Sequence, residues 1–296
     1  MAVDKSITWR HAEAASLDLK GTTAAVVGGT GGLGRAIART LAGRGARVIV
    51  VGQTFRDDGV TGIEFMRADL GSMKEASRVG QALPAEDLDL VVFTTGIFAA
   101  PTREETDEGI ERDMAVSYLS RLVLLREIAP RLRDHRPGVK PRVFVMGYPG
   151  GGQAGTLDDL NADKSYSAMT VHMNTVAGNE MLVLDAVKRY PHVSIYGLNP
   201  GLVKTNIRDN FLGKDSMKSR FAEWMIGLFS PTPDEYGERI SPLLVSPDIE
   251  EHRGAMFDQK GRALVPSPKL VEPHVRAFLS ASEALVARTG VRVAGA

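Results

Sequence analysis

The chain contains no cysteine and only two tryptophans, and its 36 basic side chains are matched by 36 acidic ones. The missing cysteine excludes disulfides, thiolate catalysis and cysteine-ligated metals. The charge balance removes the electrostatic case for a nucleic acid or an anionic membrane as partner. No apolar run reaches the length of a bilayer span. The segment before Lys20 carries Asp4, Arg10, His11, Glu13 and Asp18, which leaves no signal-peptide core there. One absence is local: no lysine occurs between Lys164 and Lys188. What remains is a 296-residue chain of ordinary apolar content, 43 %, expected to be cytoplasmic and to act on a small molecule.

From Thr23 onward strand and helix signals alternate. The runs Thr23–Val27, Arg47–Val51, Ile63–Met66, Leu88–Thr94, Arg142–Met146 and Val193–Leu198 read as strands. Between them lie helical patterns, the longest over 106–129 and 166–189. Strands joined by helices of that length make right-handed crossovers and a parallel sheet covered on both faces. The expectation is an α/β, Rossmann-type doubly wound sheet in a single domain over 21–266. An N-terminal extension over 1–20 and a C-terminal helix and tail over 267–296 complete the chain. Residues 205–235 are irregular, with Phe211, Phe221, Trp224, Met225 and Phe229 among charges, and read either as a substrate lid or as ordinary packing.

The most specific stretch is Gly28-Gly29-Thr30-Gly31-Gly32-Leu33-Gly34, set between the first strand and an amphipathic helix. Glycines there let the backbone turn tightly and approach a pyrophosphate, which the N–H groups at the positive helix end bind. This points to a dinucleotide. At the end of the second strand stands Gln53, with no acid until Asp57. A carboxylate at that place would grip a ribose diol; Arg56 instead suits a 2′-phosphate and tilts the choice between NADP and NAD towards NADP.

The order of these signals resembles the short-chain dehydrogenase/reductase family from about Lys20 to Pro266. Gly28, Gly32 and Gly34 fit its Thr-Gly-x-x-x-Gly-x-Gly pattern, with Val27 at the threonine position. Asp69-Leu70 resembles the family's adenine-contacting pair, although Asp69 also reads as a cap for the helix after Ser72. Thr94-Thr95-Gly96 stands where the family passes its Asn-Ala-Gly loop beside the ribose. Asn199-Pro200-Gly201-Leu202-Val203-Lys204-Thr205 matches the segment that lies against the nicotinamide in the family, with Pro200, Gly201, Val203 and Thr205 at its pattern positions.

The family's proton-transfer set does not carry over. Its chemistry uses a tyrosine whose acidity is raised by a lysine four residues on, with a serine and a relay asparagine. The interval to Pro200 puts the tyrosine position at Thr170 and the lysine position at Asn174, 26 residues before the turn (200 − 174). The serine position falls at Gly147 or Tyr148, and the relay asparagine at Ser117. Two readings stay open. In one, chemistry is displaced onto Tyr166, with Tyr148 as carbonyl binder or donor and His172 as another acid, among Ser117, Thr170 and Asn174. The other reading is a non-catalytic nicotinamide-dinucleotide-binding protein: a pseudoenzyme, a sensor or an inactive partner subunit. The first implies an atypical NAD(P)-dependent oxidoreductase for a small or medium apolar carbonyl, alcohol or enone. The resemblance also implies a homodimer or homotetramer, paired across the two long helices.

Overall fold

The computed structural model describes residues 1–134, 139–201 and 231–293. Eight strands form one sheet in the order β3-β2-β1-β4-β5-β6-β7-β8. They are β1 (Thr23–Val27), β2 (Arg47–Gly52), β3 (Ile63–Arg67), β4 (Leu90–Phe93), β5 (Arg142–Met146), β6 (Ser194–Leu198), β7 (Met256–Phe257) and β8 (Ala263–Leu264). All neighbouring pairs are parallel except β7 with β8. The order reverses direction between β1 and β4, which opens a crevice at their carboxyl ends, the usual ligand position in such sheets. The expected doubly wound architecture is therefore present.

The helices are α1 (Gly32–Gly43), α2 (Met73–Ala82), α3 (112–128), α4 (Ala168–Arg189), α5 (Pro233–Val245) and α6 (Glu272–Ala287). Two apolar cores form, one on each face of the sheet. One gathers Val27, Phe93, Val145 and Ile195 with Tyr118, Leu122, Met181 and Phe278. The other gathers Val26, Val50, Phe144 and Tyr196 with Ile37, Leu41, Ile240 and Leu244. Strands covered on both sides cannot alternate polar and apolar residues, which is why β1, β2, β4 and β5 read as continuous aliphatic runs. The α1–α5 crossing is close: a Cβ on Gly237 would stand 2.9 Å from the Ala36 carbonyl carbon.

Three features depart from the sequence reading. The helix expected over 106–129 starts only at Arg112. Thr106 and Ile110 instead close a turn around Gly109 at φ +73°, and the buried Glu111 carboxylate caps the helix by accepting from Met114 N–H at 2.7 Å. Its second turn is a π-helix, Ala115–Leu119. Most of the lid expected over 205–235 lies outside the described residues. Its described end is ordered helix, because Thr232 and Glu235 form a reciprocal capping box at the start of α5. Third, α6 lies across α3 and α4. Tyr118 donates to Ser282 Oγ at 3.0 Å, and the fully buried Arg126 pairs with Asp185 at 2.8 Å and Glu283 at 3.0 Å. Within the chain, α6 thus packs against part of α3 and α4. The N-terminal segment adds one bridge to the sheet edge, Val3 to Leu264, and holds it further through Trp9 Nε1–H on the Gly261 carbonyl at 2.7 Å.

Candidate active site

The glycine turn leaves β1 at Gly28, whose φ of +88° favours a residue without Cβ. A Cβ at Gly28 would stand 2.6 Å from Thr95 N, and one at Gly34 would collide with Thr94 Oγ1 and lie 2.5 Å from Gly28 O. Thr94 locks this packing by donating both N–H and Oγ1–H to the Val27 carbonyl, at 2.8 and 2.9 Å. The turn is therefore pressed onto the end of β4, with Thr30 seated against Gly52 of β2. The first turn of α1, which begins at Gly32-Leu33, has no side-chain cap at Gly31. Its N–H groups remain available to an anion.

Beyond β2, Gln53 and Arg56 are exposed. Asp57 is buried and taken by Arg35, whose Nε and Nη2 reach it at 2.7–3.0 Å. The Asp57 carboxylate is therefore already neutralised. Arg56 makes no ion pair among the described residues, and its guanidinium lies 3.6 Å from where a Cβ on Gly31 would sit. Past β3, Asp69 is exposed and Leu70 buried. Asp69 Oδ1 accepts from Gly71 N at 2.9 Å; the cap of α2 is Ser72, which accepts from Glu75 N at 3.2 Å. Asp69 thus shapes the turn without spending its second oxygen.

At the far end of the crevice, Asn199 Oδ1 accepts from Gly201 N at 2.9 Å and fixes the Pro200-Gly201 turn, with Gly201 at φ +64°. Val203 and Thr205 lie outside the described residues. Thr95 Oγ1 is buried without a hydrogen-bond partner among the described residues, and so is Gln259 Oε1 beside Gly201. These orphaned polar atoms border the two ends of the crevice where the resemblance puts ribose and nicotinamide. An unpaired hydroxyl and amide oxygen there fit a polar ligand, since leaving such groups buried and unmet costs about 1–3 kcal/mol each.

The expected proton-transfer residues each stand in their own setting. Thr170 is exposed in the first turn of α4, where Ser167 caps its N–H. Asn174 is 2 % exposed and turns away to the β5–α4 loop, bonding Thr156 N at 2.9 Å and Thr156 Oγ1. Tyr166 donates its phenol to the Ala100 carbonyl at 2.5 Å, and burial with nearby Glu111 and Asp113 pushes its pKa up to about 12. That is opposite to the depressed tyrosine the chemistry needs. Tyr148 is 40 % exposed at the end of β5, with its ring against Gly151.

Ser117, in the π-turn, joins an arrangement the sequence reading did not contain. Its Oγ–H donates to Asp113 Oδ1 at 2.5 Å and its oxygen accepts from Ile97 N at 2.9 Å. Asp113 is fully buried, and its other oxygen meets His172 Nδ1 at 2.8 Å. The His172 ring stacks on Phe98, centroids 4.0 Å apart. Behind them Asn179 donates to the Ser117 carbonyl at 2.9 Å and accepts from Arg121 Nη1 at 2.9 Å. Arg121 also donates to the carbonyls of Thr95 and Met146, tying together the ends of β4 and β5. Burial without a carboxylate contact lowers its pKa to about 9. Asp113, Arg121 and Asn179 were missed because one charged or amide residue inside an apolar helix face looks like ordinary amphipathicity; only its improbable burial marks it.

The crevice and the glycine turn at the end of β1 are those of a Rossmann-type α/β fold. A family profile for short chain dehydrogenases matches residues 22–140. An uncharacterized oxidoreductase of Saccharomyces cerevisiae is 48 % identical over 289 residues, covering 96 % of this chain and 94 % of that one. Human retinol dehydrogenase 14 is 27 % identical, covering 90 % and 87 %. A solved structure of an uncharacterized Mycobacterium paratuberculosis protein superposes with TM-score 0.70 at 20 % identity, over 96 % of this chain and 99 % of that one. The chain belongs to the short-chain dehydrogenase/reductase family of oxidoreductases.

Proposed function

We propose that the protein is an NADP(H)-dependent oxidoreductase acting on a small or medium apolar carbonyl, alcohol or enone. The observation that carries the dinucleotide is the Gly28–Gly34 turn, closed onto Thr94 and Thr95 with no room for a Cβ. The preference for NADP over NAD rests on the occupied Asp57 and the unpaired Arg56. Gly28, Thr30, Gly31, Gly32, Leu33 and Gly34 would hold the pyrophosphate at the start of α1. Gln53 and Arg56 would meet the adenosine ribose and its phosphate, and Asp69 and Leu70 the adenine. Thr94, Thr95 and Gly96 would line the nicotinamide ribose, with Pro200, Gly201, Val203 and Thr205 along the nicotinamide. When bound, the cofactor supplies or accepts the hydride. The protein's part is to hold the reacting carbon against it, exclude water and move one proton.

The non-catalytic reading draws on one observation: Asn174 and Thr170 fill the lysine and tyrosine positions, and Asn174 is committed to Thr156. Fluorescence titration with NADPH and NADH, followed by reduction of a panel of aldehydes, ketones and enones, separates the two. The expected result is tighter NADPH binding together with turnover. Binding without turnover on the whole panel favours the non-catalytic protein, and failure to bind either nucleotide overturns both. We also propose a cytoplasmic protein with a single catalytic domain over 21–266. Among the described residues no helix is long and apolar enough to cross a membrane.

A further inference from the structure

We propose that His172, held by Asp113, is the proton-handling catalytic residue that stands in for the missing tyrosine–lysine pair. This deepens the oxidoreductase reading and rests on it. Asp113 as a carboxylate can only accept, so the 2.8 Å contact assigns the proton on this side of the ring to Nδ1. That fixes the tautomer: Nε2 is the nitrogen left to exchange a proton with a ligand. The side chain is 17 % exposed, and Nε2 has no partner among the described residues. The ring cannot swing freely, because Phe98 stacks on one face at 23°.

The position is as informative as the pairing. Phe98 follows Gly96 and Ile97 directly, and Ile97 N is bonded to Ser117 Oγ. The loop that leaves β4 beside the proposed nicotinamide ribose is thus fastened by the same carboxylate that holds His172. A cavity of about 110 Å³ opens beside Phe98, Ala100, Pro101 and Asp113, with the Glu104–Arg112 ion pair also in its wall; it borders the carboxylate that holds His172. The order Ser117–Asp113–His172, with the carboxylate in the middle, excludes a hydrolytic triad, in which histidine must lie between the other two. The charged and titratable groups acting on Asp113, Glu111 or Tyr166 around this pair are Arg121 from α3, Glu111 just before it, Arg103 and Glu104 from the loop after β4, and Tyr166 before α4.

In the reduction direction the imidazolium Nε2–H bond breaks and an O–H bond forms on the substrate oxygen. The carbonyl carbon receives the hydride pair, so the carbonyl is reduced to the alcohol and the dihydronicotinamide is oxidised. The ring is left neutral, keeps Nδ1–H on Asp113, and regains its Nε2 proton from solvent. Asp113 and Ser117 are positioning residues in this scheme.

The test uses the full-length protein with NADPH and 4-nitrobenzaldehyde as probes, and diethylpyrocarbonate as a reporter of Nε2, mapped by peptide mass. In the resting protein His172 is carbethoxylated, and saturating NADPH slows that reaction at least fivefold. Asp113→Asn slows it without NADPH and keeps NADPH affinity within threefold. His172→Asn lowers kcat at least 100-fold, the scale of general acid catalysis, with the NADPH dissociation constant unchanged. Carbethoxylation of His172 indifferent to bound NADPH, a His172→Asn variant that keeps its kcat, or a wild-type protein that binds NADPH but leaves the aldehyde unreduced, overturns the assignment alone. Failure to bind either NADPH or NADH overturns the oxidoreductase reading as well.

Discussion

Asn174 and Thr156 satisfy one another: the Asn174 amide oxygen accepts from Thr156 N at 2.9 Å and Oγ1 at 3.2 Å, and its amide nitrogen donates back to Oγ1 at 3.1 Å. The position where the family's chemistry puts a lysine therefore anchors a loop. Restoring Asn174→Lys would not restore a proton relay. It would bury an unpaired ammonium and strand Thr156, so the expected outcome is a loss of stability of roughly 1–3 kcal/mol with no gain in turnover. Urea denaturation and the carbonyl assay check both parts.

The glycine turn makes a sharper prediction. Gly34→Ala forces a methyl into Thr94 Oγ1 and the Gly28 carbonyl, both fixed by the end of β4. Gly28→Ala adds backbone strain at φ +88°. Both variants are expected to lose nucleotide binding at least tenfold while retaining the far-ultraviolet circular dichroism of the wild type. Equal fluorescence titrations for wild type and Gly34→Ala would remove the turn from the cofactor site.

Nucleotide preference should reside in one side chain. Arg35 is committed to Asp57 and Arg56 is not. Arg56→Ala is expected to weaken NADPH by about tenfold, the scale of one charge-assisted contact of 1.5–3 kcal/mol partly screened by water. NADH should change by less than twofold. The NADPH deficit should shrink as salt is raised, since the lost interaction is between exposed charges.

The fold was legible in this sequence because its strands are buried on both faces, and a run such as Val48-Ile49-Val50-Val51 has no other economical place. The glycine turn was legible because its function is written in what it lacks. The short strands β7 and β8 were not, since two residues each give no periodicity. The helix start was misplaced by six residues (112 − 106) because Ile110 continues the apolar spacing of Met114 while a turn at Gly109 intervenes. The proton-handling residues were the least legible. Thr170 and Asn174 follow from spacing to Pro200, but the pairing of Asp113 with His172 joins two helices 59 residues apart. No local pattern encodes that contact; it exists only once α3 and α4 pack together.

Glu111 gives a prediction that depends on pH. Its carboxyl is 1 % exposed, and burial, reinforced by the charge of Asp113, raises its pKa from 4.5 to about 7 despite the Met114 N–H it accepts. The folded chain therefore binds this proton more tightly than the unfolded chain does. Its contribution to stability is complete below pH 4.5 and is lost as pH rises through about 7. The loss amounts to roughly 3 kcal/mol at most, at 1.4 kcal/mol per unit. Glu111→Gln mimics the neutral form and can still accept from Met114 N–H, so it removes this dependence. The expected outcome is that urea midpoints of wild type and Glu111→Gln agree near pH 5 and diverge above pH 7, with the variant the more stable. Parallel midpoints across that interval would mean that Glu111 is ionised at no extra cost in the folded protein.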